Sequence, residues 1–169
     1  MQSQIRKYIV DTNVFINAFN SSATEYADVQ FLLQAYKEGR VGFYVSLHTL
    51  SELEKRKDEA WELAKTFPQS PHYPIGSWDE QVGTWDQACG TWDDARKNEV
   101  VQNNLCDQAK AGTSIQDRGA FVDGLCSDFD GFLTSDGQFV KSGPLARINA
   151  NFELKVITPE ALVAELAQG

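Results

Sequence analysis

Four acidic residues stand where the sequence predicts that helices and strands begin or end. They are Asp11, Glu52, Asp117 and Asp136. Asp11 closes the apolar run at 8–10, and Asp136 follows the run at 131–135 in the same way. If these runs are neighbouring parallel strands, both carboxylates lie at the carboxyl edge of one sheet. Like charges held that close repel strongly unless a cation lies between them, so the pair predicts a divalent-metal site.

Apolar and β-branched runs predict the strands that would position these acids. The predicted strands cover residues 6–11, 41–46, 131–135 and 154–157. Helices are predicted at 14–19, 24–36, 117–126 and 159–166, with a further helix after Ser46. Strands that alternate with helices are typical of a parallel sheet covered on both faces. The sequence therefore predicts a three-layer α/β domain with a central parallel sheet.

Polar residues predict where three of these helices begin, with N-caps at Thr24, Ser46 and Thr158. A helix capped by Ser46 carries Glu52 in its early turns. Asp117 begins the helix that precedes the 131–135 strand. A carboxylate at that helix start can fold back to the sheet edge where Asp136 lies.

Two of the candidate acids also have a purely structural interpretation. Asp11 is suited to cap the turn that follows it, through the amides of Asn13 or Val14. The presence of Asp136 at an equivalent strand end favours a metal site over this cap. Glu52, taken alone, is more typical of a solvated helix surface.

Further polar residues are predicted to support the acids or to replace one of them. Asn13 is suited to orient Asp11 or to hold a metal-bound water. Thr134 is suited to bond a carboxylate or a phosphate, although a β-branched residue is also ordinary in a strand. Asp128 and Asp130 are the fallback acids if Asp117 does not reach the site.

Four segments in the same order resemble the PIN-domain family of metal-dependent ribonucleases, which includes the VapC-type toxins of bacterial toxin–antitoxin pairs. They are the segments 8–16 and 45–53, the helix-like stretch that opens at Asp117, and the segment 132–136. The resemblance covers residues 5–57 and 115–165, roughly the two ends of the chain. It implies a PIN-like fold, RNA as substrate and, for a toxin, an antitoxin protein as partner. It also implies that Mg²⁺ or Mn²⁺ is bound by Asp11, Glu52, Asp117 and Asp136.

The composition is that of one soluble globular domain, with 169 residues, 42% of them hydrophobic and 23% charged. No apolar run approaches the roughly 20 residues that span a bilayer, and the first residues lack the features of a signal peptide, so a cytoplasmic protein is expected. Three widely spaced cysteines predict reduced thiols. The net charge of -9 opposes the approach of a nucleic acid. Bound metal and the basic run 55–57 would offset that charge locally.

Residues 67–115 fall outside the PIN resemblance and are predicted to form a helical insertion within a single domain, 1–169. Prolines interrupt the segment 67–76, and tryptophans then recur every seven residues at Trp78, Trp85 and Trp92. On a helix this spacing forms one stripe, which is most typical of a core. An exposed stripe would instead serve a homodimer, a partner protein or unpaired RNA bases.

Two functions compete with a metal-dependent endoribonuclease. A non-catalytic PIN-like scaffold would bind protein through the tryptophan-rich insertion. A phosphatase of the haloacid-dehalogenase type also begins with a strand-end Asp, but it requires a second Asp two residues later, where this chain has Asn13. That difference favours the nuclease.

Overall fold

The sheet at the centre of the protein is parallel throughout. The computed structural model describes residues 4–71, 129–136 and 155–168. The strands within these ranges are β1 (Lys7–Val10), β2 (Gly42–Tyr44), β3 (Gly131–Leu133) and β4 (Lys155–Ile157). They lie in the order β2-β1-β3-β4, and every neighbouring pair is parallel. The predicted α/β class and central parallel sheet are confirmed.

Five helices accompany the sheet in the described ranges. They are α1 (Thr12–Asn17), α2 (Tyr26–Lys37), α3 (Leu47–Glu54), α4 (Glu59–Ala64) and α5 (Pro159–Ala167). None of these helices is long and apolar enough to cross a membrane. The predicted helix 117–126 and the predicted insertion beyond residue 71 lie outside the described residues.

The strands are shorter than predicted, and a helix N-cap follows three of them within two residues. Asp11, Ser46 and Thr158 are extended residues whose side chains accept a hydrogen bond from the first turn of the next helix. The chain therefore leaves the sheet within one or two residues of the last strand pair. The caps predicted at Ser46 and Thr158 are confirmed.

Two helix predictions need correction, and one helix was not predicted. The N-cap of α2 is Glu25 rather than Thr24, and it makes no side-chain capping bond. Helix α1 begins at Thr12, two residues earlier than predicted, because Asp11 itself is the cap. Helix α4 was not predicted, since six residues are too few for a clear apolar period.

The described helices all pack into one core on one face of the sheet. Tyr8 and Val10 of β1 point into this core together with Leu133 and Ile157. The buried helix residues that join them are Val14, Phe15, Val29, Leu32, Ala35, Leu53, Ala60, Ala64 and Leu162. Leu53 anchors α3, which carries Glu52, against the sheet.

The opposite face of the sheet is buried as well. Successive side chains of a strand alternate between faces, so Ile9, Phe132 and Val156 point away from the core described above. All three are buried. The sheet is therefore covered on both faces, as a three-layer fold requires.

Helix α5 is tied to the amino-terminal side of the sheet by charged groups. Arg6 donates from Nη1 to Oε2 of Glu165 at 2.7 Å, and Lys155 donates from Nζ to Oε1 of the same carboxylate. Arg40, which follows α2, donates to the carbonyl of Leu166 at 3.1 Å. These contacts lie away from the carboxyl ends of the strands, where the candidate site is.

Candidate functional site

Asp11 lies where β1 passes into α1, between the sheet and the helix. Its backbone N–H donates to the carbonyl of Leu133 at 2.9 Å, which fixes the residue against the end of β3. Its side chain is only 1% exposed, and Oδ1 accepts from the N–H of Thr12 at 2.8 Å. The capping role is therefore real, although the amide is that of Thr12 rather than Asn13 or Val14.

Thr134 connects the ends of β1 and β3. Its hydroxyl donates to Oδ2 of Asp11 at 2.7 Å and accepts from the N–H of Asp136 at 3.0 Å. Thr134 is fully buried, so water does not compete for these bonds. The two strand-end acids are thus linked through one hydroxyl at the carboxyl edge of the sheet. A capping role alone does not require this second contact of Asp11.

Glu52 joins the same edge from α3. Its Oε2 accepts from the hydroxyl of Thr12 at 2.6 Å, a short distance typical of a hydroxyl bonded to a carboxylate. Helix α3 is held in place by the buried Leu53 and by the cap, where Oγ of Ser46 accepts from the N–H of Thr49 at 3.0 Å. Glu52 is therefore not a freely solvated helix residue.

Two threonines thus link three of the four predicted acids into one hydrogen-bonded chain. The chain, which we call the acid chain, runs through Glu52, Thr12, Asp11, Thr134 and Asp136. It draws on β1, α1, α3 and the end of β3, so its parts come from elements that are distant in sequence. It lies at the carboxyl ends of neighbouring parallel strands, where open α/β sheets bind their ligands.

The acid chain offers oxygen donors, which suit hard divalent cations such as Mg²⁺ and Mn²⁺. Between Thr134 and Asp136, the buried hydroxyl of Ser135 has no hydrogen-bond partner among the described residues. A buried polar atom of this kind is suited to a bound water or ligand. Within the ranges 4–71, 129–136 and 155–168, no three His, Cys, Asp or Glu residues are grouped closely enough to hold a metal ion. Asp117, the fourth predicted ligand, lies outside these ranges.

The structure does not bring the fallback acid Asp130 to this edge. Asp130 precedes β3, and its Oδ2 accepts from the N–H of Lys7 at 2.7 Å while its own N–H donates to the carbonyl of Lys7 at 2.8 Å. These bonds place it at the amino end of the strands, opposite Asp11. The other fallback acid, Asp128, lies outside the described residues.

Two residues that follow Asp11, Thr12 and Asn13, differ in the contacts they make. Asn13, predicted to orient Asp11 or to hold a metal-bound water, lies half-buried on the first turn of α1, and no hydrogen bond joins its side chain to Asp11 among the described contacts. Thr12, which the sequence did not single out, contacts both Asp11 and Glu52. Its position directly after a strand-end Asp is a signal, but its partner Glu52 is 40 residues away.

The fold and the acid chain together define an α/β protein with an oxygen-rich candidate site at the carboxyl edge of a parallel sheet. Among solved structures, the chain is similar to the crystal structure of VapBC2 from Rickettsia felis bound to a DNA fragment from their promoter. The similarity has a TM-score of 0.49 and 13% sequence identity, and it covers 90% of this chain and 98% of that chain. No protein-family model matches the sequence, and no curated protein matches it either.

Proposed function

We propose that this protein is a metal-dependent endoribonuclease. The observation that supports the proposal is the acid chain, which links Asp11, Glu52 and Asp136 at one sheet edge. These are three of the four positions to which the PIN resemblance assigns metal ligands. Together with Asp117 they would hold Mg²⁺ or Mn²⁺, and such a cation supplies an activated water and stabilises charge on the phosphate.

The threonines have a clear task in this proposal. A buried carboxylate loses its hydration, and hydrogen bonds from Thr12 and Thr134 compensate part of that cost for Asp11. They also restrict its rotation, so the carboxylate keeps one orientation toward the site. Residues held in this way do not have to be reorganised when a phosphodiester binds.

A local positive charge would help RNA approach an acidic protein. Lys55 and Lys57 directly follow α3, and neither makes a salt bridge to a described acidic residue, whereas Arg56 is paired with Asp58 at 2.7 Å. The two lysines are therefore free to contact phosphates near Glu52. Contacts of this kind steer nucleic acid in a salt-dependent way.

The test is cleavage of a mixed set of single-stranded and structured RNAs in Mg²⁺, Mn²⁺ and EDTA. We expect the wild type to cleave only with metal, and Asp11→Asn and Asp136→Asn to lose cleavage while circular dichroism shows that both stay folded. Asp130→Asn is the matched control, because it changes an acid at the opposite end of the strands and should keep activity. Full activity in both Asp11→Asn and Asp136→Asn would sink the assignment. A folded wild type that neither cleaves RNA nor binds metal would favour a protein-binding scaffold.

We further propose that the ribonuclease acts as the toxin of a toxin–antitoxin pair, which the PIN resemblance supports. In that case expression of the wild type arrests growth, expression of Asp11→Asn does not, and co-expression of an antitoxin encoded beside it restores growth. Growth arrest of equal strength by Asp11→Asn would separate any toxicity from the proposed catalytic site.

A further inference from the structure

Thr12 contacts two of the acids at the candidate site through different atoms. Its N–H donates to Oδ1 of Asp11 at 2.8 Å, and its hydroxyl donates to Oε2 of Glu52 at 2.6 Å. The residue is 5% exposed, so both bonds are largely shielded from water. The roles predicted from the sequence and from the PIN resemblance do not include one for Thr12.

The place of Thr12 in its helix explains why its hydroxyl is available. A threonine inside a helix commonly bonds the carbonyl three or four residues earlier. Thr12 is the first residue of α1, so no helical carbonyl precedes it at that distance. Its hydroxyl is therefore directed to another element, and the carboxylate of Glu52 on α3 accepts it.

Glu52 depends on such a contact to hold one orientation. A glutamate side chain loses considerable rotational entropy when it is fixed, and the helix backbone alone does not fix it. The hydroxyl of Thr12 holds Oε2, whereas Oε1 accepts no hydrogen bond from a described residue. That second oxygen is the one left to face a cation.

We infer that Thr12 is a positioning residue that fixes Glu52 relative to Asp11, so that both carboxylates face one divalent cation. The inference rests on the proposed function, because it assumes that these carboxylates bind metal. Thr12→Val removes the hydroxyl but keeps the shape of the side chain and the N–H bond to Asp11. Thr12→Ser keeps the hydroxyl and serves as the matched control.

The first measurement is Mn²⁺ affinity of the full chain, by calorimetric titration. Loss of a group that orients a ligand typically weakens metal binding by about 10- to 100-fold, and we expect Thr12→Val to fall in that range. Thr12→Ser should stay within about 3-fold of the wild type, because it retains the charge-assisted bond. In a Glu52→Ala background, Thr12→Val should change affinity by less than about 2-fold, since the residue it positions is absent. Equal losses in both backgrounds would show a merely structural role and overturn the inference.

The second measurement is urea unfolding in EDTA, which needs no metal. The Thr12–Glu52 contact should appear as a coupling of about 10-fold in the unfolding constant between Thr12→Val and Glu52→Ala. Coupling below about 2-fold would overturn the inference even if Mn²⁺ binds. If the variants show this coupling but the wild type binds no Mn²⁺, the proposed function is refuted, and the positioning role is refuted with it. The two failures are therefore distinguishable.

Discussion

Thr134 offers a direct test of how the site is held together, because one hydroxyl links both strand-end acids. Replacing Thr134 by valine removes that hydroxyl and keeps the shape of the side chain. The residue is fully buried, and its replacement by valine takes a hydrogen bond from two groups. These groups are Oδ2 of Asp11, at 2.7 Å, and the N–H of Asp136, at 3.0 Å.

The expected cost of Thr134→Val follows from the two bonds. A bond from a hydroxyl to a carboxylate contributes about 1.5–3 kcal/mol, and the bond from the neutral N–H adds about 0.5–1.5 kcal/mol. The extra buried methyl group of valine returns about 0.8 kcal/mol. We therefore expect Thr134→Val to lower the free energy of unfolding by about 2–3 kcal/mol. Thr134→Ser loses a methyl group but keeps the hydroxyl, so it should lose only about 1 kcal/mol.

The assay is urea denaturation of both variants and the wild type at pH 7 in EDTA, with equal m-values as the condition for comparison. Cleavage should fall together with stability in Thr134→Val, because Asp11 loses one of the contacts that orient it. We expect the serine variant to be more stable than the valine variant. A valine variant as stable as the wild type, or more stable than the serine variant, would show that the hydroxyl does not hold the strand ends together.

Three further predictions concern the scaffold. Gly131→Ala should lower the free energy of unfolding by about 1–3 kcal/mol in urea denaturation, because a Cβ there would lie 2.8 Å from the carbonyl oxygen of Lys155. Gly42→Ala is the control, because a Cβ at Gly42 would have no neighbour closer than 3.5 Å. It should change the free energy of unfolding by less than about 1 kcal/mol. Equal effects of the two would contradict this steric account. Lys57→Gly should raise the melting temperature, since Lys57 has a φ of 51° and glycine relieves about 0.5–1 kcal/mol of backbone strain there. A lower melting temperature of this variant would contradict the strain at Lys57. The hydrogen bond from Lys155 holds the pKa of Glu165 below its ordinary value of 4.5. The ionised carboxylate therefore stabilises the fold above pH 4.5, and this stabilisation is lost as the pH falls below that value and the group becomes protonated. The wild type should therefore lose up to about 1 kcal/mol more than Glu165→Gln between pH 5 and about pH 3, and identical pH profiles would refute this.

The parts of the fold that depend on residues close in sequence could be predicted from the sequence. The hydroxyl of Ser46 accepts from the N–H of Thr49 and that of Thr158 from the N–H of Ala161, as their cap patterns predict. The parallel sheet follows from alternating strands and helices, which are also readable along the chain. The cap at Thr24 was wrong, because the residue before α2 is Glu25, which is not extended and makes no side-chain capping bond.

The site was less accessible to sequence reasoning because its bonds join distant segments. Asp11 and Glu52 were predicted as separate acids, and the residue that joins them, Thr12, was not. Its side-chain role depends on where α3 packs, which no local pattern shows. Conversely, Asp130 looked equivalent to its neighbours in sequence, yet the strand direction places it at the opposite edge.

The bond from Thr134 to Asp11 spans 123 residues of chain, and this separation governs when the site can form. Strand pairing over such a distance requires a large loop to close, which slows folding. During synthesis at about 5–20 residues per second, roughly 6–25 seconds pass between the two residues. A nascent chain that has passed residue 52 but not residue 133 contains Asp11 and Glu52 but neither Thr134 nor Asp136. A chain on the ribosome that has not reached Thr134 therefore lacks the hydroxyl that links Asp11 to the end of β3.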